Sequence, residues 1–155
     1  RANVPPMIIQ RLIEAGARTD ARYLGGSTPL MIAAAFCNPE VVDILIEVGS
    51  NINTRDEVYG RTALMYAVEF NSNAEITKLL IDSGADVNVR DEEGITPLIL
   101  AAMEGENPDV IKMLLDAGAD GRIKDAEGWT AYDYARRNDV IEGTEAYWLL
   151  NDARF

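Results

Sequence analysis

Apolar residues along the chain fall into short paired blocks, separated by polar stretches punctuated with glycine. In one type of block they sit at i, i+1, i+4 and i+5, as in Val41, Val42, Leu45 and Ile46, or Val110, Ile111, Leu114 and Leu115. That spacing places them on one face of a short helix. Asn38-Pro39-Glu40, Asn73-Ala74-Glu75 and Asn107-Pro108-Asp109 introduce these blocks. Asparagine caps the first turn, proline presets it, and the acid complements the helix dipole. The blocks close on Gly16, Gly49, Gly84 and Gly118, where glycine supplies a left-handed C-terminal cap. The other type of block follows Thr-Pro or Thr-Ala and carries Leu30, Ala33 and Ala34, or Leu98, Ala101 and Ala102. It predicts a second helix with threonine as N-cap, leucine toward the core and alanines that let a neighbouring helix approach.

The two blocks alternate with a fixed period. Thr28, Thr62, Thr96 and Thr130 are spaced by 34 residues, each within a G-x-T-[PA]-[LY] pattern, and the closing glycines are spaced by 33, 35 and 34. A stretch such as Asp86–Gly94, rich in turn formers, joins one unit to the next and reads as a projecting loop or hairpin. A single helix pair cannot bury its apolar face, so the units must stack to share a continuous core. On that model Leu79 and Leu114 are core positions, and truncating either to alanine costs roughly 2–5 kcal/mol.

The unit resembles the ankyrin repeat: G-x-T-P-L, the double alanine, the [LI]-[LI]-x-x-G-[AS] run and Asp86-Val87-Asn88 occur in order. The resemblance implies an all-α repeat solenoid of stacked helix-turn-helix units joined by β-hairpin-like loops. It divides a single domain, 1–155, into a partial repeat (1–22), three full repeats (23–55, 56–90 and 91–124) and a degenerate C-terminal capping repeat (125–155). In the partial repeat only the second helix, Met7–Glu14, is expected, so its first helix lies upstream or the fold starts with half a repeat. The capping repeat has a second helix around Glu145–Asn151, with Arg136, Arg137, Asn138, Asn151 and Asp152 facing solvent. Several departures stand out. Met31, Met65, Ile99 and Asp133 replace the histidine that usually follows Thr-Pro-Leu. Extra residues lengthen the helix–helix loops near Asn71-Ser72-Asn73 and Glu104–Asn107 and the hairpin at 54–60.

The resemblance also implies a partner-binding surface made of hairpin tips and the concave face of the first helices. Carried over by position, it places Tyr59, Glu92 and Glu93 at tips, and Arg61, Ile95 and Trp129 after the repeat glycine. Phe36, Glu69, Phe70 and Met103 fall at the groove end of the first helices. Exposed Phe36, Tyr59, Phe70, Ile95, Met103 and Trp129 would anchor a partner. The alternative is that Phe36, Phe70 and Met103 pack against the lengthened loops, that Trp129 packs in the cap, and that the glutamates are ordinary solvated charge.

Composition narrows the function classes. The net charge of −12 opposes nucleic acid or anionic membrane as partner and favours another protein with a basic or amphipathic segment. There is no histidine and one cysteine, Cys37, so neither a thiol–histidine pair nor an intrachain disulfide can form. Cys37 is expected as a partly buried structural thiol. Asp91 and Asp125 stand in faintly calcium-like loops without the remaining ligands and are expected to organise turns. No catalytic, metal or cofactor site is expected. The reading is a monomeric, non-enzymatic protein-interaction module in the cytoplasm; the alternative is a targeting or regulatory arm of a larger enzyme or secreted effector. The chain begins inside a repeat, which leaves an upstream targeting signal open.

Overall fold

A computed structural model describes residues 5–71 and 73–154. Residues 1–4 of the partial repeat and Ser72 of the first lengthened loop lie outside the described residues. The chain forms two compact units, residues 1–85 and 86–155.

The first unit contains helices α1 (Pro6–Glu14), α2 (Pro29–Phe36), α3 (Pro39–Glu47), α4 (Ala63–Phe70) and α5 (Ala74–Asp82). First helices stack on first helices, α2 on α4, while the second helices α1, α3 and α5 form a row. The second unit contains α6 (Pro97–Glu104), α7 (Pro108–Asp116), α8 (Ala131–Ala135) and α9 (Glu145–Ala153). There α6 packs on α8 and α7 on α9. No strand occurs among the described residues.

Capping follows the sequence closely. Asn38, Asn73 and Asn107 each accept a backbone N–H of the helix they introduce. Thr28, Thr96 and Thr130 do the same for Met31, Ile99 and Asp133. Thr62 occupies the N-cap position without a side-chain cap bond, and its buried hydroxyl has no partner among the described residues. Where histidine is usual in the family, Met31, Met65 and Ile99 are fully buried. Asp133 instead turns back to accept from both N–H and hydroxyl of Thr130. That bonding, led by the Thr130 N–H, holds the Asp133 carboxyl below its usual range.

The core is built from equivalent positions. Val41, Val42 and Leu45 of α3 correspond to Ile76, Thr77 and Leu80 of α5 and to Val110, Ile111 and Leu114 of α7, and all nine are buried. The register corrects one expectation: Leu79 is only half-buried, and Leu80 is the counterpart of Leu114. Leu79 shares its place with Ile44 and Met113, one step around the helix from the buried stripe. At the second position of the stripe Thr77 brings a hydroxyl into the apolar layer, where it finds no hydrogen-bond partner among the described residues.

The open ends of α2 and α6 are each closed by an asparagine of the following repeat. Asn71 is buried and donates its amide to the carbonyls of Ala34 and Cys37 at 3.0 and 3.2 Å, satisfying the open end of α2. Asn138 does the same for α6 through Ala102 and Gly105, both at 3.2 Å. It is therefore half-buried and not the solvent-facing residue expected, as is Asn151; Arg136, Arg137 and Asp152 are exposed. At Gly105 any Cβ would collide with the Ala101 carbonyl.

Candidate functional site

The projecting loops are hairpin-like without being strands, and a buried aspartate explains why. Asp91 N donates to Ile95 O at 2.9 Å, and Asp91 Oδ1 accepts from Ile95 N at 2.9 Å and Glu93 N at 3.0 Å. The carboxylate supplies the second bond that a partner carbonyl would give in a ladder. Asp125 repeats this with Trp129 and Glu127. Asp56 spreads it over the longer loop, accepting from Val58, Tyr59 and Arg61. The turn-organising role expected for Asp91 and Asp125 is thus their observed one. Tyr23 takes the corresponding place in the first loop, which has no carboxylate there and turns instead through Gly25 and Gly26, both at positive φ. Successive tips within each unit are tied by a backbone bond, Glu57 N to Gly25 O and Ala126 N to Glu93 O, each 2.8 Å.

In the first unit these loops and the ends of α2 and α4 assemble an aromatic patch. The rings of Phe36 and Phe70 lie 6.0 Å apart, and Tyr66 lies 6.0 Å from Phe70. Phe36 is 51% exposed, Phe70 46% and Tyr59, at the tip, 53%. Arg61 places its guanidinium 5.3 Å from the Tyr59 ring centre and pairs with the Glu69 carboxylate. Glu69, placed by position at the groove end of the first helices, is spent internally on Arg61. Tyr66 was not singled out in the sequence. Its hydroxyl lies 3.3 Å from Asp56 Oδ2, and burial together with the Asp56 charge pushes its phenol above the ordinary value.

The second unit uses the same repeat positions differently. Ile95 is 6% exposed, which corrects its expected role as an exposed anchor. Both hydrogen bonds to Asp91 hold its backbone at the loop base, and an aliphatic side chain there gains by facing the core. Met103 is half-buried, while Glu92 and Glu93 are exposed at the tip. Trp129 is half-buried, with its ring 5.1 Å from that of Tyr134 and 3.9 Å from the Arg137 guanidinium. Tyr134 donates to Asp125 at 2.6 Å. That bond, with burial and the charges of Asp125 and Glu127, raises the Tyr134 phenol well above its normal range. Trp129 therefore packs in the cap, one of the two roles open to it on sequence grounds.

One relation links the units by position. The residue after the repeat glycine and the residue eight further on meet in two of the repeats. They are Arg61 with Glu69, an ion pair, and Trp129 with Arg137, a cation–π contact. The same positions hold Ile95 and Met103 in the repeat between.

Cys37 is half-buried, as expected, and burial pushes its thiol up, away from the reactive thiolate. Among the described residues, no cluster of three or more carboxylates or thiols is disposed to hold a metal ion. No helix among them is long and apolar enough to cross a membrane.

A family model for ankyrin repeats (3 copies) matches residues 2–91 and again 71–150. Human neurogenic locus notch homolog protein 4 is 38% identical over 92 residues, 59% of this chain and 4% of that protein. The chain thus corresponds to a small fraction of that relative's length. The repeat period, the capped helix pairs and the match to the family model over most of the sequence agree: the chain belongs to the ankyrin repeat family.

Proposed function

We propose that the chain is a protein-interaction module whose contact face lies on the first unit and centres on Phe36, Tyr59 and Phe70. Ankyrin repeats are generally protein-protein interaction modules and not catalytic folds. The observation that carries the reading is the Phe36–Phe70 pair: two rings at the same position of successive repeats, side by side and about half exposed. Large rings left in water lose apolar burial that a partner restores, and aromatic residues are the commonest anchors of interfaces. The Tyr59–Arg61–Glu69 cluster borders the rings with an organised polar edge. With a net charge of −12, the partner that fits is an apolar segment flanked by lysine or arginine.

Capture from native lysate by the chain and by a Phe36→Ala/Tyr59→Ala/Phe70→Ala variant tests this. A partner retained by the parent and lost from the variant, with the helical circular dichroism unchanged, is the expected outcome. Equal capture by both assigns the contact elsewhere. A role as the targeting or regulatory arm of a larger protein is compatible with this face, and the much greater length of the notch relative supports it.

A further inference from the structure

Successive loops within a unit are joined near their bases by an asparagine. Asn53 donates its side-chain amide to Gly84 O at 3.0 Å in the first unit. In the second unit Asn88 donates to Gly118 O at 3.0 Å and also accepts from Asp120 N at 2.8 Å. There one carboxamide serves both the carbonyl of the following repeat's closing glycine and the N–H two residues further on. Asn53 and Asn88 each stand four residues after the closing glycine of their own repeat, and Asp20 holds that place after Gly16.

An ionised carboxylate has no proton to donate, so Asp20 cannot make the corresponding bond to Gly49 O. It turns to Arg18 instead, at 3.0 and 3.1 Å. Gly49 O and Asn51 N, the counterparts of Gly118 O and Asp120 N, have no partner among the described residues. Two further changes widen the gap. Thr19 stands where the second unit has Val87, and Ser50 where it has Ala119, both buried apolar residues.

The result is a cavity of about 240 Å³ lined by Thr19, Thr28, Ser50, Asn51 and Thr54. Both of its walls, residues 17–22 and 50–55, are complete loops of the first unit, so the opening arises from the side chains at 19, 20 and 50. Ser50 is 9% exposed, and its hydroxyl has no hydrogen-bond partner among the described residues. A buried hydroxyl left in that state costs stability that a ligand can restore. The charged residues at the cavity are Asp20 and Arg22, one of each sign. They favour a neutral ligand that both donates and accepts over an anion or a cation.

We infer that this cavity binds a primary carboxamide, the side chain of a glutamine or asparagine presented by a partner protein. The amide takes the place that Asn88 holds in the second unit. Its NH2 group donates to Gly49 O, its carbonyl accepts from Asn51 N, and the Ser50 hydroxyl gains a partner. The site is independent of the Phe36–Phe70 face.

The test is a titration of the isotope-labelled full chain with N-acetylglutamine N-methylamide, followed by amide chemical shifts. Saturable shifts are expected at Thr19, Gly49 to Asn51 and Thr54, with a Kd of roughly 1–10 mM for so small a ligand. The matching glutamate compound has the same shape without the donor and should bind about tenfold more weakly. Asp20→Asn supplies the carboxamide from within the chain. It should abolish binding and raise the melting temperature by about 2–4 °C. Ser50→Ala places at 50 the residue found at 119, so folding should survive, and binding should weaken about threefold or more. Phe70→Ala should leave binding unchanged. No saturation by about 50 mM, or full affinity retained in Asp20→Asn, would overturn the proposal. Equal or tighter binding of the glutamate compound would give the cavity to a carboxylate held by Arg22 and overturn it as well.

Discussion

Both units carry aromatic residues beside their hairpin loops and put them to opposite use, and Tyr66 and Tyr134 hold the same repeat position. In the first, Phe36 and Phe70 touch each other and water, and Tyr59 leans on an arginine at an exposed tip. In the second, Trp129 is enclosed by Tyr134 and Arg137, and Tyr134 is anchored on Asp125. Tyr66 and Tyr134 make the contrast quantitative. Each points its hydroxyl at the loop aspartate of its own repeat, but over 3.3 Å to Asp56 and 2.6 Å to Asp125. The extra residue in the 54–60 loop accounts for the looser fit, since Asp56 must serve three backbone N–H groups along a longer path.

The largest expected effects test what the units share. Leu80→Ala in the first unit and Leu114→Ala in the second should each cost about 2–5 kcal/mol in urea denaturation, because both side chains are fully buried at one register position. Leu79→Ala should cost clearly less; equal losses for Leu79 and Leu80 would break the register.

The next effects test the contrast. Trp129→Ala should lower the melting temperature, through lost packing and the cation–π contact, and Phe70→Ala should lower it less, since about half of its ring already faces water. Tyr134→Phe should cost about 1–2 kcal/mol and Tyr66→Phe about 0.5 kcal/mol or less, following the two bond lengths. The Tyr134 phenol also sets a pH dependence. Its folded pKa is raised, so its contribution is complete below the ordinary tyrosine value of about 10 and is lost as pH climbs toward the folded value. An alkaline melting series should therefore show a falling limb that Tyr134→Phe flattens and Tyr66→Phe changes less.

The smallest effect runs the other way. Thr77→Val should stabilise the first unit by about 1 kcal/mol, since it removes an unsatisfied buried hydroxyl at the position held by Val42 and Ile111. A loss of stability would mean that the hydroxyl is satisfied in solution.

Much of the fold was legible because the repeat states each rule several times. Asparagine before proline and threonine before proline or alanine name the helix starts, and left-handed glycines name the ends. The site was less legible. Position alone makes Ile95 the counterpart of Arg61, but the isoleucine is buried in the core whereas the arginine lies against Glu69 and the Tyr59 ring. Position alone left Glu69 without a partner, because Arg61 stands eight residues earlier, before the start of α4. The Asn71 and Asn138 tethers were hidden for a similar reason: their acceptors are carbonyls of the preceding repeat. The Tyr66–Asp56 and Tyr134–Asp125 pairs carried a usable signal in their near-equal spacing, visible once the repeats are aligned.

The most direct test of the central claim is amide chemical-shift mapping of the chain with the partner recovered by capture. The account predicts perturbations concentrated at Phe36, Val58–Arg61 and Glu69–Phe70, with Trp129 and Tyr134 little changed. Perturbations centred instead on the outer faces of α3 and α5, around Glu40, Asp43, Glu75 and Asp82, with the aromatic patch silent, would contradict it.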